Sequence, residues 1–393
     1  MQDLDVIVVG AGPAGLAAAC LLAVYGRSVT LAARPQSEMN DPRTVALMTP
    51  SLGLLARIGL WPGELRSKTE PLRKLRLVDD TGSTLKAPTI TFDARELGED
   101  AFGWNIPLNI LIPALHHRAR QLGVHLVEAD AETVSTALDH ILIQTGSGQN
   151  LRARVAIAAD GRNSLLRQAA GIRTNSWAYE QAALATSFCH SGLHEGISTE
   201  YHKQAGPFTT VPMPGSRSAL VWMERPERAS QLLALSDSEL AAEIQIGTHG
   251  SLGRISEVGP RRLFPMQGLT ARDFAKNRVI LIGEAAHVVP PIGAQGLNMS
   301  FRDAADAAGL LSGEDDPGNP ALLADYDAMR RRDVQPRQQV IDIMNRSLLS
   351  GFLPLEAGRA AGLTLLSQFG PLRRAAMRYG LATNSGFSAG FHR

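Results

Sequence analysis

The N-terminal stretch constrains this chain more than any other. Residues 4–9 (LDVIVV) are a short β-branched run of the kind that forms a buried parallel strand. Gly10-Ala11-Gly12-Pro13-Ala14-Gly15 follows at once, then an apolar helical stretch over residues 16–25 that Gly26 ends. Residues 28–31 read as a second strand. Strand, glycine turn, helix and strand make a βαβ unit, which belongs in a mostly parallel sheet. The G-x-G-x-x-G spacing is a dinucleotide fingerprint. Gly10 makes the tight turn, Gly12 admits a pyrophosphate against the backbone, and Gly15 lets helix and strand pack closely. An acid that would hold a ribose hydroxyl is expected at the end of the second strand, and that position falls on Ala33. Either backbone and Arg34 take its place, or Glu38 reaches round from the following loop. The phosphate argument survives either way, because it rests on main-chain N–H groups.

Two further stretches carry related chemistry. Residues 279–282 read as a buried strand leading into Gly283-Glu284-Ala285-Ala286-His287 and then Pro290-Pro291-Ile292-Gly293-Ala294-Gln295-Gly296-Leu297-Asn298. The prolines stiffen this loop, and Gly293 and Gly296 let backbone approach something flat. A helix is expected from near Asn298, its free N–H groups facing electron-rich atoms. Upstream, a strand at 155–158 runs into Ala159-Asp160-Gly161-Arg162-Asn163-Ser164-Leu165-Leu166-Arg167. Asp160 is placed for polyol hydroxyls, and Ser164 suits a helix cap. Asp160–Arg167 alone reads as a helix cap, and the plain alternative for the Gly283–Asn298 loop is a surface turn. In this order, with the D-G-x-x-S-x-x-R spacing, they are specific.

The remainder is organised around these three. Residues 75–78 and Leu85 flank Asp79-Asp80-Thr81-Gly82 as a hairpin that interrupts the α/β pattern and belongs to another sheet. From 177 to 265 short alternating strands (183–189, 208–211, 219–224) surround one amphipathic helix, 237–246. That is the grammar of an antiparallel sheet inserted into the first domain. Beyond Asp325 the chain reads as helical, with Arg330-Arg331-Arg332 on a solvated face. Lys and Arg number 39 against 38 Asp and Glu, so no polyanionic partner such as nucleic acid is implied. Cys20 and Cys189 stand far apart, which points away from a disulfide framework or zinc site and towards a reducing compartment. No basic-then-apolar leader opens the sequence, and no apolar run approaches the ~18 residues of a bilayer span. A cytoplasmic location is expected.

Gly10–Gly15, Asp160–Arg167 and Gly283–Asn298, taken together, resemble the class A flavoprotein monooxygenases of the p-hydroxybenzoate-hydroxylase fold. GEAAH followed by PPIGAQGLN and MSFRD is most similar to the ubiquinone-biosynthesis hydroxylases, as are residues 41–47, 206–213 and 232–240. The resemblance implies an α/β chain: a Rossmann-like FAD-binding domain, an inserted antiparallel-sheet substrate domain and C-terminal helices. The FAD-binding domain would take residues 1–72, 97–176 and 271–342; the substrate domain the hairpin 73–96 and 177–270; the helical segment 343–393. It further implies that Gly10, Gly12, Pro13, Ala14 and Gly15 cradle the FAD pyrophosphate, with Arg34 near the adenosine and Arg43 near the flavin. Asp160 and Gly161 would line the FAD cleft, Glu284 (where the family more often has Asp) would face the ribityl chain, and Pro291 the substrate. Gly293, Gln295, Gly296, Leu297 and Asn298 would offer amides to the flavin ring.

The activity so implied is hydroxylation of an aromatic ring, with NAD(P)H as reductant and molecular oxygen as co-substrate, through a flavin C4a-hydroperoxide. The substrate would be a small phenol, polyprenylated in ubiquinone biosynthesis. A same-fold flavin reductase of an isoprenoid or quinone, and a scaffold that merely holds FAD, are the competing readings. Tyr201, His202 and His287 are candidate acid–base groups, and none stands out as essential. The last fifty residues carry six Arg, no Lys and the single acid Glu356 around two apolar clusters, 348–355 and 363–372. Such helices either lie on an anionic membrane surface at the inner face or pack back on the FAD domain. A homo-oligomer or a biosynthetic complex is compatible with either.

Overall fold

The computed structural model describes residues 3–34, 41–83, 86–349 and 353–381. Glu38, Phe352 and the side chains of Leu348, Leu349, Leu353 and Leu355 lie outside what it describes. Its α-helices among the described residues are, in chain order, α1 (Pro13–Val24), α2 (Thr49–Arg57), α3 (Leu108–Gln121), α4 (Leu165–Ala169), α5 (Pro226–Ala234), α6 (Asp237–Gly247), α7 (Gln295–Leu311), α8 (Pro320–Leu349), α9 (Leu353–Gln368) and α10 (Gly370–Leu381).

The first sheet is built on the N-terminal βαβ unit. Asp3–Val9 lies between Val29–Ala32 and Asn150–Ala158, parallel to both, and Val279–Leu281 extends the parallel set beyond Asn150–Ala158. The inner stretches of these strands, Val6–Val9, Val155–Ala158 and Val279–Leu281, are apolar because helices cover both faces. Val6, Ile7 and Val8 are fully buried, as are Leu16, Leu22, Leu111 and Leu115 of the helices against them. Each such side chain contributes roughly 1.5–3 kcal/mol on leaving water.

A nine-stranded, mostly antiparallel sheet forms the second layer. The Ile197–Lys203, Gly206–Met213, Arg217–Glu224, Thr174–His190 and Arg262–Ala271 strands run side by side in that order. Alternation sends Tyr201, Phe208, Trp222 and Leu184 to one face, where Leu232 of α5 and Leu240 and Ile244 of α6 close a second core. Two helices cover that face where the sequence pattern suggests one. α5 was hidden by its polar outer side. The Lys74–Asp79 strand pairs with Ile90–Asp93 and joins this sheet beside Ile197–Lys203, so the hairpin does belong elsewhere than the parallel sheet. Its return strand is Ile90–Asp93, and Leu85 lies outside the described residues. A small sheet of Thr44–Met48, Gly103–Pro107 and Glu70–Leu72 has no counterpart in the sequence reading.

Arg330 corrects the reading of its cluster. It is among the most deeply buried side chains and contacts Asp303, Asp306 and Asp333. At the C-terminal end Met377 of α10 joins a buried cluster with Met48, Leu72 and Phe92, and Leu363 and Leu366 of α9 pack inward against it, as do Leu75, Leu77 and Ala294. Arg373 is not solvated either; it pairs with Glu96 at 2.7 Å.

Candidate functional site

The three glycine-bearing stretches meet at the C-terminal ends of the parallel strands. A methyl group on Gly10, whose φ is +109°, would sit 2.2 Å from the Ala159 carbonyl oxygen, and one on Gly15 would sit 2.0 Å from that of Gly10. Both positions are closed to any side chain because α1 and the Asn150–Ala158 strand end meet there. Gly12 differs: nothing lies within 4 Å of where its Cβ would be. α1 starts at this residue with no side-chain cap, so its first N–H groups face open space. A Cβ on Gly283 would touch Ala14 Cβ and Ser300 Oγ, each at 3.4 Å, which ties the third stretch to the first.

α7 begins at Gln295, three residues before the expected Asn298. Gly293 and Ala294 take left-handed backbone angles, φ +62° and +55°, and turn the chain sharply into the helix. No side chain caps this second helix start. Gly293, Ala294, Gly296 and Leu297 are half-buried around the opening, and a Cβ on Gly293 or Gly296 would again meet nothing within 4 Å. Gln295 donates from Nε2 to the Gly293 carbonyl at 3.1 Å. The side chain of Asn298 is committed inside the protein. Its Oδ1 accepts from Met48 N and Ser51 Oγ, and its Nδ2 donates to Ala46 and Ala294 carbonyls. It fixes the loop to the Thr44–Met48 strand and offers only its backbone to the opening.

Asp160 and Ser164 divide the labour at α4. Ser164 Oγ accepts from Arg167 N, and Asp160 Oδ2 accepts from Leu165 N at 2.8 Å. Asp160 Oδ1 is buried without a partner among the described residues, as is Thr44 Oγ1. Gly161, next to it, has open space where its Cβ would be. Arg43 is held by a bidentate pair with Asp41 and stacks over the Phe264 ring at 4.7 Å. Burial lowers its affinity for a proton, but Asp41 and then Glu284 outweigh that and keep the guanidinium firmly charged. Glu284 is half-exposed and its longer side chain reaches Arg162 at 3.5 Å. Pro291 is exposed at the rim.

Arg34 follows the C-terminal end of the Val29–Ala32 strand, where the Ala32 carbonyl accepts from Gly10 N, and its side chain pairs on the surface with Asp130 at 2.9 Å. His287 is a structural group: its Nε2 lies 2.7 Å from Asp303 Oδ2, which also accepts from Gly283 N at 2.9 Å. Tyr201 bonds Thr248 and Ser251 in the core away from the opening. Sequence reasoning missed Asp41, Arg162 and Asp303, the residues that hold the predicted ones in place. Each lay in a stretch already singled out, Asp41 in 41–47, Arg162 in Asp160–Arg167 and Asp303 in MSFRD.

The FAD binding domain family matches residues 3–340. The chain is 33% identical over 390 residues to a protein named ubiquinone hydroxylase UbiL from Rhodospirillum rubrum, covering 96% of this chain and 90% of that one. The chain belongs to the class A flavoprotein monooxygenases. FAD is its cofactor and NAD(P)H its reductant. The monooxygenase is also 26% identical to the 3-demethoxyubiquinol 3-hydroxylase of Escherichia coli, over 97% of this chain and 99% of that one. Its fold matches the crystal structure of p-nitrophenol 4-monooxygenase PnpA from Pseudomonas putida DLL-E4, with TM-score 0.79 and 21% identity over 97% and 99% of the two chains. The opening suits the cofactor. Gly12 leaves room for a pyrophosphate at an uncapped helix start, the orphaned Asp160 Oδ1 can accept from a polyol hydroxyl, and the α7 start provides a second set of amides.

Proposed function

We propose that this monooxygenase hydroxylates the ring of a polyprenylated phenol in ubiquinone biosynthesis. The observation that carries the reading is the face of the nine-stranded sheet opposite its helix-covered core. Thr209, Val211, Met213 and Val221 are half-exposed there. Phe264, on the same face, lies under Arg43, and Leu75 and Leu77 pack against the buried cluster that Ala294, at the start of α7, also packs against. The cofactor's crevice is therefore roofed by mostly apolar side chains, which favour a ring with a hydrocarbon chain over a charged acid. The names of the relatives point the same way.

Bound FAD supplies the electron transfer from NAD(P)H and the activation of oxygen. On this reading the Gly10–Gly15 turn, with Gly12, Pro13 and Ala14 facing outward, holds the pyrophosphate through backbone N–H groups. Asp160 and Gly161 take the polyol chain. Amides of Gly293, Gln295, Gly296, Leu297 and Asn298 face the ring's pyrimidine edge, where reduction places negative charge. Arg43 sits where its charge balances phosphate or reduced ring, and Glu284 with Arg162 closes the rim near Pro291. The apolar roof keeps water from the reacting atoms. Residues 1–72, 97–176 and 271–342 would then form the cofactor domain, 73–96 with 177–270 the roof, and 343–393 an appendage.

That appendage also fits a membrane surface. Among the described residues twelve large apolar side chains are exposed, and five of them (Ile343, Met344, Leu365, Phe369, Leu372) fall within residues 343–393. Arg374 and Arg378 follow the last of these. Leu363 and Leu366 pack inward near Ala294 while Leu365 and Phe369 face outward, so α9 joins the roof to the apolar patch. Among the described residues no helix is long and apolar enough to cross a bilayer, and the contact proposed is a peripheral one.

A strain lacking this protein tests the main reading. It should accumulate a polyprenylated phenol short of one ring hydroxyl, with the quinone pool restored by the wild-type chain and not by Gly12→Val. An unchanged set of quinone intermediates would refute it. Oxidation of NAD(P)H by the purified protein should need both oxygen and the phenol; a phenol reduced without oxygen would favour the reductase. Flotation with anionic vesicles at low salt, with and without residues 344–393, tests the membrane contact, which fails if full-length protein stays behind.

A further inference from the structure

One end of the roof departs from its apolar character. Glu200 and His202 lie two residues apart on the Ile197–Lys203 strand, so both point away from the core that holds Tyr201 and Phe208. Each side chain is only 5% exposed, and His202 Nε2 lies 2.8 Å from Glu200 Oε1. His202 Nδ1 is buried and finds no hydrogen-bond partner among the described residues. Glu200 faces Thr209 across one strand pair and Leu77 across the other. Thr209 is half-exposed on the roof, and Leu77 packs against the same buried cluster, around Met48 and Phe92, that Ala294 at the start of α7 packs against. The pair therefore borders the cofactor crevice.

A second polar group reaches the same end from α8. Asn345 is fully buried and donates from Nδ2 to Gln181 Oε1 at 2.9 Å. Gln181 Nε2 donates at 2.7 Å to the Ala205 carbonyl, in the turn that follows His202. Asn345 Oδ1, like His202 Nδ1, is buried with no partner among the described residues. A buried polar atom without a partner costs about 1–3 kcal/mol, and two at one end of an apolar face need a reason. With Nε2–H donating to the Glu200 carboxylate, the neutral imidazole keeps its lone pair on Nδ1. A ring hydroxyl is the group that such an acceptor would engage.

We propose that His202, oriented by Glu200, accepts the phenolic proton of the bound ring; this rests on the phenol substrate proposed above. The O–H bond breaks, its proton moves to Nδ1, and its electron pair enters the ring. That raises electron density at the carbon that takes the oxygen atom. Glu200 stabilises the imidazolium so formed, much as a carboxylate steadies the histidine of a hydrolase triad. Oxygen and NAD(P)H supply the oxygen atom and the two electrons. When the ring regains aromaticity, its C–H proton leaves with the second oxygen atom as water, Nδ1 returns the first proton to the ring oxygen, and the pair is restored. Asn345 Oδ1 accepts from a second donor on the ring, which makes it a positioning group.

The test titrates FAD-loaded wild type, His202→Gln and Glu200→Gln with p-nitrophenol at a pH below that phenol's own pKa. The wild type should bind it as the phenolate, seen as a new band in the difference spectrum. His202→Gln should bind it un-ionised and Glu200→Gln should show a weaker band, both with full flavin content. With the physiological phenol, His202→Gln should form several-fold more hydrogen peroxide per NAD(P)H consumed, since oxygen is still activated while the ring is less reactive. A phenolate band and coupling left intact in His202→Gln overturn the proposal, and an unaltered band in Glu200→Gln overturns the role of the carboxylate. Should His202→Gln fail to hold FAD, Glu200→Gln decides alone. A wild type that hydroxylates a phenol yet binds the probe un-ionised refutes the base alone; one that turns over no phenol refutes the substrate reading beneath it.

Discussion

Replacing Arg330 by Met removes a cation that touches three carboxylates: Nε to Asp303 Oδ1 at 2.8 Å, Nη1 to Asp306 Oδ2 at 2.6 Å and Nη2 to Asp333 Oδ2 at 2.9 Å. The Arg330 side chain is 2% exposed and that of Asp303 0%. Burial alone would raise the Asp303 pKa; His287 and Arg330 outweigh it and hold the carboxyl ionised. Asp306 has fewer donors, and burial wins there, so its pKa stays above the ordinary value despite Arg330. Without the guanidinium, Asp303 keeps only Gly283 N and His287 as partners. Breaking a buried pair from one side costs about 3–5 kcal/mol, because a charge is left in low dielectric. The loss should appear as a lower urea midpoint in the FAD-free protein. A second effect follows from the 2.9 Å bond between Gly283 N and Asp303 Oδ2. That bond anchors the turn carrying Glu284, so FAD should dissociate more readily. The double variant Arg330→Met with Asp303→Asn removes the most deeply buried of the stranded carboxylates and should recover part of the stability, with Asp306 still lacking its cation. A single-variant loss below about 1 kcal/mol, the range of an exposed pair, would refute the reasoning.

Three further outcomes are expected. Gly12→Val places its side chain in open space, so the protein should fold, with an unaltered unfolding midpoint without FAD, and purify colourless; a fully yellow preparation would show that the pyrophosphate lies elsewhere. Ala33→Glu should tighten FAD binding by about 1 kcal/mol, one added hydrogen bond; unchanged affinity would mean that the Arg34–Asp130 pair already fills that role. Burial favours the protonated form of Asp333, yet Arg330 and Arg337 outweigh it and lower its pKa from 3.8 to about 2. A carboxyl depressed on folding stabilises above its unfolded pKa and loses that contribution as pH falls through the folded value. Roughly 2 kcal/mol should vanish between about pH 4 and 2, and Asp333→Asn should flatten that limb in acid unfolding curves. An acid limb identical in the two proteins would sink the assignment.

The parts of this molecule that were legible in the sequence are those fixed by local backbone demands. Gly10 and Gly15 have no alternative where Ala159 comes within contact distance, and Ser164 caps α4 as its position suggests. The alternation of residues 183–189 and 219–224 announces strands because one face is buried. What stayed hidden depends on partners distant in sequence. Nothing near Arg330 tells that three carboxylates surround it, because Asp303 and Asp306 come from another helix. The start of α7 moved three residues upstream because Ala294 adopts a left-handed conformation, which an alanine does not advertise. Glu200 and His202 look like ordinary polar residues on a strand until the register shows which face they share.

α7 explains why these hidden partners matter. Its first turn lies at the crevice, so the helix must be held without obstructing its own N-terminus. Asn298 and Asp303 are five residues apart, about 140° round the helix axis, and so reach opposite sides. Asn298 ties one side to Ala46, Met48 and Ser51 next to Arg43. Asp303 ties the other to Gly283 and His287, and His287 belongs to a strand paired with Leu269 and Thr270 at the edge of the roof. A shift of the roof strand must therefore pull on the carboxylate that holds the cofactor turn. Apolar packing alone would let the helix slide. Directed hydrogen bonds from buried groups do not, since any slide leaves charges or amides unpaired at a cost of several kcal/mol. The rigidity of the crevice thus comes from polar groups set behind it, leaving its front free for the cofactor.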